Sequence, residues 1–349
     1  MNFRKLLGFR HALKRRWVEA RTRRAGDRFY CAALSGLSDY NISINCDMTV
    51  SCNCQDYDAR SVIGDLSRDT LEAVFAGPRA AWFRRRLADG RFPIDTFMGC
   101  SELRRAPRAE AERHVAEFGI PKRGIMVENT VLCNLSCGSC VRKVLMQTRS
   151  KKTLEPDDVR KISDLIRRHG IENLYYFKFG EPFLSPRIDE ELRIIRSANP
   201  GLKIVISTNG GPLDTDRKRD AALMADHVFF SIDGPDTATL GKYQAGGSFE
   251  AAYGNMKALA LVRAGRNAAR PVIEWKYVLF NWNDRRGMIR RAVELAREAG
   301  VDAISFWPTR RPRRGISWRY YLFPHFKKLG ATNWKGREVR LKSDGAPDS

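Results

Sequence analysis

Ile125-Met126-Val127-Glu128-Asn129-Thr130-Val131-Leu132, followed at once by Cys133-Asn134-Leu135-Ser136-Cys137-Gly138-Ser139-Cys140, is an apolar strand-like run that ends in three closely spaced thiols. Downstream of it, further strand-like runs occupy 173–177, 203–207, 227–232, 272–280 and 303–307. Between them the apolar residues recur at helical spacing over 154–168, 188–198, 216–225, 249–264 and 284–299. In the first of these helices Val159, Ile162, Leu165 and Ile166 share a face. Thr153 is the expected N-cap, and Glu155, Asp157 and Asp158 suit the positive helix end. Gly300 marks the stop of the last. Strands separated by crossovers of this length pair in parallel. A closed eight-unit barrel takes about 250 residues, and only about 185 are available here. The expected fold class is therefore α/β, a partial (β/α)6 TIM-type barrel preceded by a small α+β unit.

Four regions are expected: a basic N-terminal helix over 1–25, a cysteine-bearing unit over 26–120, the partial barrel over 121–308, and a basic aromatic extension over 309–349 with a polar tail from Ser343. The 349 residues carry 62 Lys and Arg against 40 Asp and Glu, a net charge of +22. That balance excludes an acidic disordered chain. The excess sits at the ends, with nine basic and one acidic residue in 1–25, and eleven and one in 310–342. No apolar run approaches the ~18 residues of a membrane helix, and the N-terminus lacks the apolar core of a secretory signal.

All eight cysteines fall in the first 140 residues. In a chain of this length such clustering points to metal ligation or catalysis in a cytoplasmic protein rather than to disulfides. Cys133, Cys137 and Cys140 follow the first barrel strand directly, and chemistry in a parallel barrel collects at that carboxyl edge. Three thiolates around a [4Fe–4S] cube leave one iron open to a small molecule. A structural zinc is the alternative, although no Cys or His follows until His169.

The C-x3-C-x2-C segment resembles that of the radical S-adenosylmethionine (radical SAM) superfamily. The resemblance implies a [4Fe–4S] cluster on Cys133, Cys137 and Cys140 whose open iron binds the amino and carboxylate groups of S-adenosylmethionine. Cleavage then yields a 5′-deoxyadenosyl radical that abstracts a substrate hydrogen. Three later motifs agree in order. Phe179-Gly180-Glu181-Pro182 resembles the family's GGEP segment, with Phe179 in place of the first glycine; Gly180, Glu181 and Pro182 would meet the methionine ammonium. Ser207-Thr208-Asn209-Gly210 resembles the segment near the ribose, implicating Thr208 and Asn209. Ser231-Ile232-Asp233-Gly234 resembles the SxDG turn, implicating Ser231 and Asp233. Lys276 would pair with the methionine carboxylate. Ser139 stands where relatives place an aromatic or apolar residue against adenine. An external electron donor of flavodoxin or ferredoxin type is implied.

Cys31, Asp47 and Cys52 resemble the C-x(9–15)-G-x4-C pattern of SPASM and twitch domains, which hold an auxiliary Fe–S cluster. Asp47 occupies the glycine position, and Leu103 stands where a partner of Cys100 would be. The unit precedes the barrel rather than following it. Four of Cys31, Cys46, Cys52, Cys54 and Cys100 would ligate the auxiliary cluster. The fifth is a buried spare, or a hydrogen-atom donor to a substrate radical. Zinc in the same residues is the alternative. An auxiliary cluster accepts an electron from a substrate radical, so the expected function is oxidation or epimerisation of a small molecule or glycan precursor. The alternatives are a peptide- or protein-modifying maturase and, from another class, a non-catalytic Zn or Fe–S protein that binds nucleic acid.

The N-terminal helix would suit a solvated packed helix, or the anionic face of a membrane with Phe3, Leu6 and Trp17 inserted. Arg310, Arg311, Arg313 and Arg314, followed by Trp318, Tyr320, Tyr321 and Phe323, mix cations with stacking surfaces. They suit a cover for the barrel or a nucleotide-linked, phosphorylated or acidic substrate; nucleic acid is not the expected partner. His11, His114, His169, His227 and His325 show no ligand spacing and are read as structural.

Overall fold

A computed structural model describes residues 3–322 and 337–340, with side chains described from residue 11 to 322. In chain order the strands are β1 (Asp27–Cys31), β2 (Ser43–Ile44), β3 (Thr49–Ser51), β4 (Val62–Asp65), β5 (Leu103–Pro107) and β6 (Ile125–Val127). They continue as β7 (Asn173–Tyr175), β8 (Lys203–Thr208), β9 (His227–Ser231), β10 (Val272–Leu279), β11 (Ala303–Pro308) and β12 (Arg337–Arg340). Ten form one sheet in the order β12-β11-β10-β9-β8-β7-β6-β2-β3-β4, while β1 and β5 make a separate antiparallel ribbon.

From β2 across to β11 every neighbouring pair is parallel. Within this sheet, among the described residues, the antiparallel pairings are β2–β3, β3–β4 and β11–β12, at its two edges. This mixed α/β architecture with a mostly parallel sheet is a partial TIM-type barrel, and β6 to β11 are the six strands expected from sequence. One parallel strand was not expected. Two-residue β2 sets Ser43 beside Met126 and Ile44 beside Val127, so the sheet runs across the boundary anticipated near residue 120. Two residues are too short to carry a readable period.

The crossover helices lie close to their expected spans, at Pro156–His169, Ile188–Ala198, Asp216–Ala222, Phe249–Gly265 and Arg286–Glu298. In the first, Val159, Ile162, Leu165 and Ile166 are buried as the spacing required. Its cap differs from expectation. Glu155 is the N-cap, in a reciprocal capping box with Asp158 and with Pro156 at the first turn. Thr153 instead bridges to Thr130, their hydroxyls 3.1 Å apart.

The helix Phe3–Arg24 packs on the cysteine-bearing unit. Arg15 donates to Glu19 at 3.1 Å and to Asp95 at 2.6 Å, and Glu19 accepts the Phe92 N–H at 2.8 Å. Leu13 and Trp17 are exposed. The side chains of Phe3 and Leu6, on which the membrane reading also rests, lie outside the described residues, as do Phe323, His325 and the polar tail. Among the described residues no helix is long and apolar enough to cross a membrane.

Candidate active site

Parallel strands bring their carboxyl ends to one edge, and the expected motifs gather there. Between β6 and Cys133 the chain runs extended past the 179–182 turn. The Glu181 N–H donates to the Leu132 carbonyl at 2.7 Å. A Cβ on Gly180 would lie 2.0 Å from the Thr130 carbonyl oxygen, so only glycine permits this approach. Phe179 packs with Cys46, Val131 and Leu145 in a small apolar cluster behind the cysteine loop. That packing gives the Phe179 ring an apolar setting.

The three thiols step outward from half-buried Cys133 and Cys137 to exposed Cys140. Burial, followed by the charges of Cys133, Cys140 and Asp233, pushes the Cys137 thiol up to about 12. Burial likewise raises Cys133. The loop is pinned from the far side: the Ser136 N–H donates to the Ala245 carbonyl and the Gly138 N–H to the Tyr243 carbonyl, both at 2.9 Å. Among the described residues no three His, Cys, Asp or Glu side chains converge tightly enough to enclose a single metal ion. A cube binds each cysteine at a separate iron, so three mutually interacting thiols spread along one loop fit a [4Fe–4S] group.

Glu181 is buried and ties two strand ends together. It accepts the Thr208 hydroxyl and the Asn209 N–H, each at 2.7 Å, and the Phe183 N–H at 3.3 Å. A carboxylate retains further lone pairs beyond these bonds. The Asn209 amide donates to Asn134 Oδ1 at 2.9 Å and lies 3.8 Å from the Cys133 sulfur, linking the Thr208-Asn209 turn to the cysteine loop. Ser231 and Ser207 hydroxyls meet at 3.2 Å. Asp233 is buried and accepts the Val278 N–H at 3.0 Å. Lys276 stands in register between Ser231 and Ser305, its ammonium 4.5 Å from the Trp307 ring centre. Burial lowers its pKa, against the pull of Asp233 and Glu274.

Two further residues join the site without having been expected from sequence. Gln244 donates to the Ser231 carbonyl and accepts the Asp233 N–H, both at 2.9 Å, and so fixes the SxDG-like turn. No local signal marks it. Lys178 donates to Ser43 Oγ at 3.0 Å and Asn45 Oδ1 at 2.7 Å, joining the end of β7 to the β2 segment. Its signal was a lone cation between Phe177 and Phe179 at a strand end.

The other five cysteines divide. Cys54 Sγ donates to Asn41 Oδ1 at 2.9 Å, Asn41 bonds Glu102, and the Glu102 N–H reaches Cys100 Sγ at 3.5 Å. Cys31 pairs in register with Leu103 on β5, and the Ala32 N–H donates to the Glu102 carbonyl. Burial first, then the charges of Cys31 and Cys100, raises Cys52 well above a free thiol. Cys46 stands elsewhere, fully buried, with Sγ donating to the Lys151 carbonyl at 3.1 Å. Asp47 builds its own turn by accepting the Thr49 N–H and hydroxyl, at 3.2 and 2.6 Å, and Met48 takes the positive φ of 68°.

Burial pushes both Glu181 and Asp233 up to about 7. For Glu181 the opposing influences are the Asn209 N–H, the Thr208 hydroxyl and the Phe183 N–H; for Asp233 they are the Val278 N–H and Lys276. A carboxyl that holds its proton more tightly folded than unfolded contributes stability below its unfolded pKa and loses it as pH rises through the folded value. Cofactor-free protein is therefore expected to lose stability between pH 5 and 8, by about 3 kcal/mol for Glu181. Urea unfolding at a series of pH values checks this: Glu181→Gln flattens the slope, and an unchanged slope contradicts the assignment.

The sequence model of the radical SAM superfamily matches residues 127–273. The GTP 3′,8-cyclase of Chlorobaculum tepidum is 34% identical over 119 residues, 33% of this chain. The chain spans about a third of that relative's length, 34%. Among solved structures, BtrN in complex with AdoMet and 2-DOIA shares 17% identity over 44% of this chain and 56% of its own, with a TM-score of 0.33. Native anSMEcpe with bound AdoMet shares 15% over 52% and 50%, with a TM-score of 0.40. An archaeal TYW1 shares 20% over 46% and 59%, with a TM-score of 0.33. Residues 127–273, from the end of β6 into β10, are thus a radical SAM superfamily domain, which implies a [4Fe–4S] cluster and S-adenosylmethionine as cofactors.

Proposed function

We propose that this chain reductively cleaves S-adenosylmethionine at a cluster held by Cys133, Cys137 and Cys140 and uses the product to oxidise or epimerise a small molecule or glycan precursor. The observation that carries the reading is the cysteine loop at the carboxyl edge of β6, hydrogen-bonded to the β8 end through Asn209 and Asn134. When bound, the cluster and S-adenosylmethionine supply a 5′-deoxyadenosyl radical that removes a substrate hydrogen. The chain's own residues would orient the cofactor. Backbone carbonyls of 180–182 with Glu181 receive the methionine ammonium, and Lys276, held over Trp307, pairs with the carboxylate. Asn209 and Ser231 face the ribose. An external reductant of flavodoxin or ferredoxin type supplies the electron.

The same reading places an auxiliary centre on Cys31, Cys52, Cys54 and Cys100, with Cys46 as the spare. Support comes from the Cys54–Asn41–Glu102–Cys100 chain of contacts and from the separation of Cys46 behind the cysteine loop. Cys46 is a packing thiol in this account, not a hydrogen-atom donor. Iron analysis of anaerobically reconstituted variants tests it. Cys46→Ala is expected to keep the parent iron content, while Ala at any of the other four lowers it by about half. Loss of iron in Cys46→Ala, with retention in Cys54→Ala, contradicts the assignment. A non-catalytic zinc protein would instead hold zinc and leave S-adenosylmethionine intact, and a peptide-modifying maturase would transfer label to a peptide rather than a small molecule.

A further inference from the structure

A chamber of about 950 Å3 opens beside the cysteine loop, lined by Ser139 on one side and by Arg310, Arg311, Arg313, Ile316 and Tyr321 on the other. Ser139 lies between Cys137 and Cys140, so the chamber adjoins the proposed cluster. The arginines belong to the loop that leaves β11, the last parallel strand, at the carboxyl edge of the sheet.

That loop is anchored. Phe280 and Ile316 form a bridge, the Asn281 N–H donates to the Gly315 carbonyl at 3.0 Å, and the Asn281 amide donates to the Arg314 carbonyl at 2.7 Å. A Cβ on Gly315 would lie 2.6 Å from the Trp282 ring, so glycine lets this backbone lie against the indole. Ser317 donates to buried Asp284 at 2.6 Å, and Arg319 to the same carboxylate. The Phe280 and Trp282 rings stack 4.7 Å apart, and Tyr243 packs on Phe280. Tyr243 also holds the cysteine loop through Gly138, so one aromatic ladder positions both walls of the chamber.

Among the described residues none of those lining the chamber is acidic. Several exposed guanidinium groups along one loop make a local positive field that favours a multiply charged anion. Arginine's planar fork matches phosphate oxygens in pairs. The volume suits a ligand of nucleotide or sugar-phosphate size. We infer that this chamber binds the substrate and that the substrate carries a di- or polyphosphate group, recognised by Arg311 and Arg313 next to the cysteine loop. The inference rests on the radical SAM reading above for calling the ligand a substrate.

Inorganic pyrophosphate is the probe, titrated calorimetrically into anaerobically reconstituted protein at fixed salt. Binding is expected, at least about tenfold tighter than that of succinate, and weakened at least about tenfold in R311Q/R313Q. Both arginines are exposed, so the substitutions leave the fold intact. A control pair on the N-terminal helix, R16Q/R24Q, is expected to bind pyrophosphate as the parent does. UDP competing with pyrophosphate assigns the site to a nucleotide-linked diphosphate and supports the inference; competition by ribose 5-phosphate but not by UDP marks a monophosphate site and overturns it. Equal weakening in both double variants overturns it, as a general effect of the basic chain. So does tight binding of a single-stranded RNA that pyrophosphate cannot displace. Wild-type protein that binds pyrophosphate but forms no 5′-deoxyadenosine supports this inference while striking the reading it builds on.

Discussion

Cys137→Ala is expected to lower 5′-deoxyadenosine formation from S-adenosylmethionine at least about a thousandfold, a loss of about 4 kcal/mol in barrier reduction. Cys137 is the middle thiol of its loop. It interacts with both neighbours and with Asp233, and the adjacent Gly138 N–H is fixed to Tyr243. With two thiols left, a cube has a second open iron and is lost or converted. Alanine keeps the backbone bonds of Ser136 and Gly138, so the fold should survive. Product measured by chromatography under strictly anaerobic conditions, with circular dichroism as the check on folding, decides the matter. Production within about tenfold of wild type would remove Cys137 from the centre.

Arg149→Ala is expected to cost about 3–5 kcal/mol of stability. Arg149 and Glu128 are both wholly buried and meet at 2.9 Å. Arg149 also donates to the Asp56 carbonyl at 3.3 Å. Glu128 follows β6, its N–H bonded to the Ile44 carbonyl of β2. Arg149 follows the helix Arg142–Thr148, which leaves the cysteine loop. One ion pair therefore joins the N-terminal unit, the first barrel strand and the chain beyond the three thiols. Removing the guanidinium leaves the buried Glu128 carboxylate without its ion-pair partner. Urea unfolding should show the loss, and Glu128→Gln with Arg149→Met should recover part of it because no charge is stranded. A single-variant cost under about 1 kcal/mol would show that water reaches the pair.

The barrel was legible because each strand ends in a recognisable turn and each crossover buries one helical face. The run from Val159 to Ile166 is the clearest case, and its cap was missed because Thr153 had a stronger partner in Thr130 across the chain. Strand β2 escaped notice because two residues carry no period, and its pairing comes from the sheet edge that β6 offers. That Cys133, Cys137 and Cys140 share one loop after β6 was legible from their spacing. The division of the other five was not. Cys46 and Cys52 are close in sequence, yet the turn built by Asp47 and Met48 sends Cys46 toward Val131 and Leu145, away from Cys52. Ser139 read as a departure from the family's pattern; in the fold it faces the arginine chamber. Lys178 stood out as a lone cation between two aromatics, but its partner Asn45, 133 positions away, did not; Gln244 turns back on Asp233, 11 positions earlier, with no local pattern to mark it.

Electron paramagnetic resonance of the reduced, reconstituted protein, recorded before and after addition of S-adenosylmethionine, probes the open iron itself. A signal component is expected that changes when S-adenosylmethionine is added and that is missing when Cys133, Cys137 and Cys140 are all replaced by Ala. A spectrum indifferent to S-adenosylmethionine, or a responsive component that survives the triple replacement, would contradict that expectation.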